Sequence, residues 1–274
     1  MLRRPLPVRA VLLAPLLLPL GCLPPVEAPS ELDEVTAWTF ARFDAGEPGA
    51  LEAGVANIAA AVAALDEQQD ARGVSLSPLS EEDALDLAHP GRDFGDLVSV
   101  GLAFDSAFAV RDHAELLLLA DQTPVEPDSP ERYDRHFVAP SDPSCFPGRD
   151  CEVLRTWNEV TKQSAVMTIP YAMGKDLRWV EMGESGSGEW ALLGRSWIED
   201  EAWDETGNAG MLAMFALELT WPTDGGSSRF FALWTESWVY GVGPDIIAPA
   251  ALTTIENTCE AVEEYLAARS GDSR

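Results

Sequence analysis

The chain has 274 residues, and 46 acidic against 18 basic side chains give it a formal net charge of −28. Because nucleic-acid binding depends on Lys and Arg neutralising phosphates, this charge excludes a nucleic-acid partner. Apolar residues make up 46% of the chain, which is enough for a sizeable core and excludes a disordered or collagen-like protein.

The first 21 residues have the layout of a signal peptide. Arginines at positions 3, 4 and 9 precede an apolar run over residues 11–20, and the small residue Gly21 follows. The run has about half of the ~20 residues that a bilayer-spanning helix needs, and two prolines interrupt it. We therefore predict a cleaved signal peptide over residues 1–21 rather than a transmembrane anchor.

The end of this segment, Leu18-Pro19-Leu20-Gly21-Cys22, resembles the lipobox of bacterial lipoproteins. The resemblance implies cleavage before Cys22, acylation of that cysteine and a Pro-rich tether over residues 22–30. It makes the membrane a partner through the lipid. Residue 23 is Leu rather than Asp, so the resemblance implies the outer rather than the inner membrane of a bacterial envelope. Secretion as a soluble protein is the alternative.

Residues 31–122 are expected to be mainly helical. Apolar residues recur at spacings of three and four between Leu51 and Leu65, which is typical of one face of a helix. Ser80 and Asp83 match a capping box that starts a short helix. Residues 105–120 are a further helical candidate, in which residues 116–119 fit a buried strand equally well.

Residues 123–150 are rich in Pro, Asp and Ser and predict a long irregular connection with at most one short strand, around 133–138. Strand-like alternation follows, clearest over residues 211–221 and 230–240. Pro222-Thr223-Asp224-Gly225-Gly226 between these runs predicts a hairpin, since Asp-Gly and Gly-Gly supply the positive φ that such loops need. The sheet should be antiparallel with about five or six strands.

A helix is predicted from about residue 249 to 269, with an apolar stripe of Leu252, Ile255, Cys259, Val262 and Leu266. The fold class is therefore α+β: N-terminal helices, an antiparallel sheet and an amphipathic C-terminal helix packed on the sheet. Residues 151–274 hold the sheet and that helix, and they should form one domain with residues 31–122. This order of elements resembles helix-grip ligand carriers.

Three cysteines remain beside Cys22. Cys145 and Cys151 flank a short loop in an exported chain, so we predict a disulfide between them. Cys259 falls on the apolar stripe of the C-terminal helix. It should be a buried thiol with a raised pKa rather than a nucleophile.

No metal or cofactor site is predicted. The three histidines do not pair, and His113, beside acids on a predicted helix, fits a solvated surface residue. The acidic cluster over residues 199–205 matches no EF-hand spacing, and whether it binds calcium stays open. Phosphate-binding and dinucleotide-binding Gly motifs are absent, and the Gly-rich run 183–188 lacks the spacing of a nucleophile elbow.

Tryptophan is unusually frequent in the sheet segment, and two explanations stay open. The indoles fill a core under the C-terminal helix, or some of them line a cleft for an apolar or carbohydrate ligand. The residues concerned are Trp157, Trp179, Trp190, Trp197, Trp221, Trp234 and Trp238.

With no recognisable catalytic constellation, the sequence favours a membrane-anchored envelope lipoprotein that acts as a non-catalytic binding or interaction module. Its partner is then a protein or an apolar small molecule. Two alternatives are a carrier of an apolar ligand in a cavity between sheet and helix, and a hydrolase whose catalytic residues the sequence does not reveal.

Overall fold

A computed structural model describes residues 26–47, 49–66, 73–84, 87, 94–164, 167–183 and 186–271. Its helices are α1 (Leu32–Ala41), α2 (Ala50–Asp66), α3 (Val110–Leu116) and α4 (Ile247–Gly271). Its strands are β1 (Val74–Ser75), β2 (Val98–Ser106), β3 (Arg132–Ala139), β4 (Val153–Gln163), β5 (Thr168–Glu181), β6 (Trp190–Ile198), β7 (Ala202–Trp203), β8 (Ala209–Thr223) and β9 (Gly226–Val239).

These strands form one nine-stranded antiparallel sheet in the order β1-β2-β9-β8-β6-β5-β4-β3, with β7 paired to β8. The α+β fold class and the helix packed on the sheet are as predicted. The sheet is larger than predicted because β1, β2 and β3 come from the segments before residue 151. The β8–β9 hairpin is confirmed, since Thr223 pairs with Gly226 around the loop Asp224-Gly225.

The segment 31–122 is less helical than predicted. Residues 98–106 form β2, which pairs along its whole length with β9, so the helix expected from residue 105 begins only at Val110. Residues 116–119 end that helix and form no strand. Of the helix expected after Ser80, the described residues show one 3₁₀ turn, Glu82–Ala84, and the Asp83 carboxylate accepts the Ser80 N–H as a capping box requires.

The two faces of the sheet are covered by different helices. Alternate residues of β8 and β9 pack against α1 and α2 on the face that we call the N-terminal face. The opposite face, the α4 face, packs the apolar stripe of α4 against β2 and β9. Because β9 lies between β2 and β8, both of its faces are apolar.

The C-terminal helix follows its predicted stripe. Ile255, Cys259, Val262 and Leu266 are buried, and the helix is slightly longer than the sequence indicates. No helix in the described ranges combines the length and apolarity that crossing a membrane requires.

Candidate functional site

The candidate site is a cavity of about 60 Å³ between the sheet and α4. The end of α3 and the 3₁₀ turn Thr123–Val125 close it on one side. Its apolar walls are Leu116, Leu117, Val125, Leu177, Leu192, Phe231 and Val262. Its polar lining is His113, Gln122, Glu126, Arg135, Lys175, Glu218, Thr220, Arg229 and Thr258.

An ion pair lies in the cavity wall. The Nζ atom of Lys175 on β5 is 2.5 Å from Oε1 of Glu218 on β8, and the Lys175 side chain is almost fully buried. Burial by itself raises the pKa of the Glu218 carboxyl, but the Lys175 ammonium, with Arg229 and Arg135, outweighs burial and lowers it. The pair is therefore held in its charged form.

A second cation in the wall, Arg135 on β3, is held by neutral partners. Its Nε donates to Oδ1 of Asn158 at 3.0 Å, and its Nη1 donates to the carbonyl of Leu117 at 2.8 Å. Asn158 is fully buried and donates in turn to the carbonyl of Met173. This network fixes the guanidinium where α3 ends, with no carboxylate hydrogen-bonded to it among the described residues.

Arg229 on β9 is the cation with spare hydrogen-bonding capacity. Its guanidinium stacks over the ring of Phe104, with its carbon 4.8 Å from the ring centroid. The Nη1 atom is buried and makes no hydrogen bond to any described residue. An unpaired buried donor destabilises a protein by about 1–3 kcal/mol. Because Arg229 also lines the cavity, a hydrogen-bond acceptor bound there would have this unpaired donor nearby.

Glu126 closes the cavity beneath α4. Burial raises the pKa of its carboxyl above the ordinary value, with the Lys175 ammonium acting in the opposite direction. The Oε2 atom accepts a hydrogen bond of 3.3 Å from the hydroxyl of Thr258 on α4. The cavity thus holds three cationic side chains against two carboxyl groups, and burial disfavours the ionised form of one of these, Glu126.

His113 is buried rather than solvated, so the prediction of a surface histidine is wrong. Its Nε2 lies 2.9 Å from the Oγ of Ser106, and both side chains are buried. Burial, with the nearby Arg229, lowers the pKa of His113 to about 3. A general base works best with a pKa near the operating pH, so this Ser–His pair is a poor catalytic dyad and gives the hydrolase alternative no support.

The remaining predicted residues lie away from the cavity. Cys145 and Cys151 form a disulfide with Cα atoms 5.4 Å apart, joining the two cysteines that the sequence pairs. Cys259 is buried on α4, and burial raises its pKa to about 12, as expected for an inert thiol. Cys22 and the signal peptide lie outside the described residues.

The tryptophans do not fill a core under α4. Trp221 and Trp234 are buried on the N-terminal face, and Trp179 is buried beside α3. The apolar clusters around α4 contain no tryptophan among the described residues, and Phe231 is the aromatic side chain in the cavity wall. The indoles therefore do not form the predicted ligand cleft in this cavity.

The acidic cluster 199–205 surrounds β7. The Asp204 carboxylate is occupied by hydrogen bonds from the Thr206 hydroxyl and from the backbone N–H groups of Asn208 and Ala209. Across the described part of the chain, no group of three His, Cys, Asp or Glu side chains is arranged to hold a metal ion.

A larger groove of about 830 Å³ lies elsewhere, between the α1–α2 loop and the disulfide loop. It is open to solvent, and its partly buried Arg178 already donates to the carbonyl of Phe43 at 2.6 Å. Arg149 stacks on Trp190 there, 5.1 Å from the ring centroid. We favour the smaller cavity because α4 encloses it, whereas in the open groove the unsatisfied Nε of Arg178 already lies 3.4 Å from Oε1 of Glu152.

The sequence did not reveal the polar lining of the cavity. Lys175, Glu218 and Arg229 belong to three different strands and meet only when the sheet forms. One signal was present: Glu218 is a lone carboxylate inside the apolar run of β8, where an unpaired charge would be destabilising.

No family model and no curated protein sequence matches the chain. Among solved structures, the chain is similar to a fragment of a STAR-related lipid transfer protein from Xanthomonas axonopodis, with 11% identity and a TM-score of 0.41 over 64% of this chain and 96% of that one. It is also similar to a protein from Thermus thermophilus (12% identity, TM-score 0.39, 64% and 99% covered). The chain is similar as well to the human StarD13 lipid transfer and protein localization domain, with 10% identity and a TM-score of 0.36 over 63% of this chain and 80% of that one.

Proposed function

We propose that this chain is a non-enzymatic ligand-binding protein whose cavity takes a small amphiphile with an anionic head group. The observation that carries the proposal is the buried, unpaired Nη1 of Arg229 in a cavity lined by both apolar and charged side chains. Of the alternatives that the sequence leaves open, this is the carrier in a sheet–helix cavity. Its ligand, however, is charged at one end.

The charge of the cavity supports an anion. Arg135, Lys175 and Arg229 face Glu218 and Glu126, and burial disfavours the ionised form of Glu126. A small, locally cationic cavity inside a chain of net charge −28 favours a carboxylate or a similar group. A bidentate guanidinium–carboxylate contact is among the stronger hydrogen-bonded pairs.

The size of the cavity limits the ligand. A volume of about 60 Å³ holds about two water molecules, whereas drug-sized ligands occupy pockets of about 300–1,000 Å³. The cavity as described accommodates a head group and a few carbons. A longer chain requires α4 to move away from the sheet, which breaks the 3.3 Å hydrogen bond between Thr258 and Glu126.

The test compares carboxylates with uncharged analogues of equal length. Residues 23–274, which need no detergent, are titrated with butyrate and hexanoate and with 1-butanol and 1-hexanol, and the Tm is measured. We expect the carboxylates alone to raise the Tm. Arg229→Met should abolish that increase, whereas Arg111→Met, which removes an exposed arginine on α3, should preserve it.

Two outcomes contradict this proposal. Equal stabilisation by alcohols and carboxylates would mean that the cavity selects apolar bulk rather than charge. No stabilisation by any of the four compounds would return the chain to the class of protein-interaction modules.

We further propose that the chain is acylated at Cys22 and held at the outer membrane of a bacterial envelope. The lipobox-like pattern over residues 18–22 supports this. The intact mass of full-length protein expressed in a Gram-negative host should fit residues 22–274 plus three acyl chains, and Cys22→Ala should lose them. Density-gradient fractionation should place the protein with outer membranes, and a soluble unmodified protein would contradict the proposal.

A further inference from the structure

Three aromatic side chains are exposed together at one end of the sheet. Trp203 on β7 is 41% exposed, Trp238 on β9 is 42% exposed and Tyr240 is 75% exposed. The ring centroids of Trp203 and Trp238 are 5.8 Å apart, and those of Trp238 and Tyr240 are 6.5 Å apart. We call these three residues the aromatic patch.

The backbone beneath the aromatic patch holds Trp203 in place. Trp203 pairs with Gly210 on β8, and Gly210 pairs on its other side with Trp238 on β9. A Cβ atom on Gly210 would stand 2.7 Å from the Trp203 ring, so the indole rests directly on the glycine backbone. The two indoles therefore belong to a defined surface rather than to a loose loop.

The aromatic patch lies on the same face and at the same end of the sheet as the start of α1. Trp238 follows Trp234 by four residues on β9, so both indoles point to the N-terminal face, about 13 Å apart along the strand. The Trp234 Nε1 donates to the carbonyl of Ser77 at 2.9 Å, and the Ser77 hydroxyl donates to Asp33 of α1 at 2.6 Å.

The chain is fixed to the body only a few residues after Cys22. The Nδ2 of Asn57 donates to the carbonyls of Ala28 and Pro29, at 3.1 and 2.7 Å. Six residues of extended chain between Cys22 and Ala28 span at most about 20 Å. An acylated Cys22 would therefore hold the body against the bilayer.

We propose that the aromatic patch inserts into the interface of the bilayer to which the acylated Cys22 anchors the chain. Tryptophan and tyrosine favour the head-group region because each ring has an apolar body and a polar end. The inference rests on the proposed acylation, which brings the body within reach of the membrane.

The charges around the aromatic patch determine which lipids it takes. Exposed carboxylates flank β7 on both sides: Glu199, Asp200, Glu201 and Glu205. They repel anionic head groups over about a Debye length, so the aromatic patch is suited to zwitterionic lipids.

The experiment uses full-length protein purified from a Gram-negative envelope and reconstituted into phosphatidylcholine vesicles with brominated acyl chains, which quench nearby indoles. We expect quenching of tryptophan fluorescence in the wild type. In the triple variant Trp203→Ala, Trp238→Ala, Tyr240→Ser it should fall at least fivefold. Trp190→Phe, which removes a partly buried indole elsewhere, should leave it unchanged. The midpoint of urea denaturation shows whether each variant folds. If the triple variant does not fold, the single variant Trp203→Ala replaces it.

The Cys22→Ser variant separates the two proposals, because it tests the aromatic patch without the lipid. It should partition onto phosphatidylcholine vesicles at least tenfold more strongly than its triple-variant counterpart, and 20% phosphatidylglycerol should weaken that partitioning at low salt. The inference would be overturned if the intact mass shows acyl chains but quenching is unchanged in the triple variant. That result would still support acylation of Cys22. If the intact mass shows no acyl chains, partitioning of Cys22→Ser onto the vesicles still supports insertion of the aromatic patch. If Cys22→Ser does not partition, the inference is overturned.

Discussion

The Nη2 atom of Arg195 on β6 donates to Oδ2 of Asp44, which follows α1, at 2.6 Å. The Arg195 side chain is only 3% exposed and stacks with the rings of Phe43 and Trp197. Oδ1 of the same carboxylate accepts from Arg155 on β4 at 2.8 Å. One carboxylate thus joins the N-terminal helices to two strands of the sheet.

Replacing Asp44 should destabilise the fold, because the buried Arg195 loses its 2.6 Å hydrogen bond to Asp44 and faces only the more distant carboxylate of Asp176, at 3.7 Å, among the ion pairs described for it. Breaking a buried pair typically destabilises by about 3–5 kcal/mol, and partial exposure of Asp44 reduces the expected loss for Asp44→Ala to about 2–3 kcal/mol. Urea denaturation measures it. Glu47→Ala, which removes the exposed partner of Arg42, should change the free energy of unfolding by less than about 0.5 kcal/mol. Equal effects of the two variants would contradict this account.

The Lys175–Glu218 pair should show strong coupling in a double-mutant cycle. Lys175→Met and Glu218→Met each leave one charge in the cavity wall, and each should lower the free energy of unfolding by about 2–4 kcal/mol. The double variant should lose at least about 1 kcal/mol less than the sum of the two. Additive losses, measured by urea denaturation at pH 7, would show that the two charges do not stabilise each other.

His113 should make the fold sensitive to acid. Its pKa is lowered to about 3 in the folded state, so between that value and the ordinary 6.5 the unfolded chain binds a proton that the folded chain does not. Stability is therefore lost as the pH falls through this window. Between pH 6.5 and 4.5, the free energy of unfolding of the wild type should therefore fall by about 2 kcal/mol more than that of His113→Gln.

The matched control for His113 is His136→Gln, because the His136 side chain is more than half exposed. Urea denaturation at pH 6.5, 5.5 and 4.5 compares the three proteins. A wild-type profile parallel to that of His113→Gln would show that His113 does not carry the acid sensitivity.

Loss of the disulfide should have a modest effect, because the loop that it closes is short. The double variant Cys145→Ser, Cys151→Ser should lower the free energy of unfolding by about 2 kcal/mol. Wild-type protein treated with dithiothreitol should show the same loss. The reductant should have no effect on the double variant, and a wild-type stability that is insensitive to reduction would contradict the prediction.

The sequence by itself determined the elements that depend on neighbours along the chain. The stripe of α4 follows from spacings of three and four, and the β8–β9 hairpin follows from alternation around Asp224-Gly225. Cys145 and Cys151 could be paired because only five residues separate them. In each case the physical cause, whether periodicity, turn geometry or loop length, is present within a few residues.

The tertiary structure alone decided which segments meet. Residues 98–106 became a strand because β9 offers them a partner more than 120 residues away. The buried Trp221 and Trp234 lie on the N-terminal face because α1 and α2 cover it. The candidate site depends on Lys175 and Glu218, which are 43 residues apart, and on Arg229 beneath α4. Such contacts leave no local periodicity, since each side chain finds its partner only after the sheet has set its register and the helix has enclosed it.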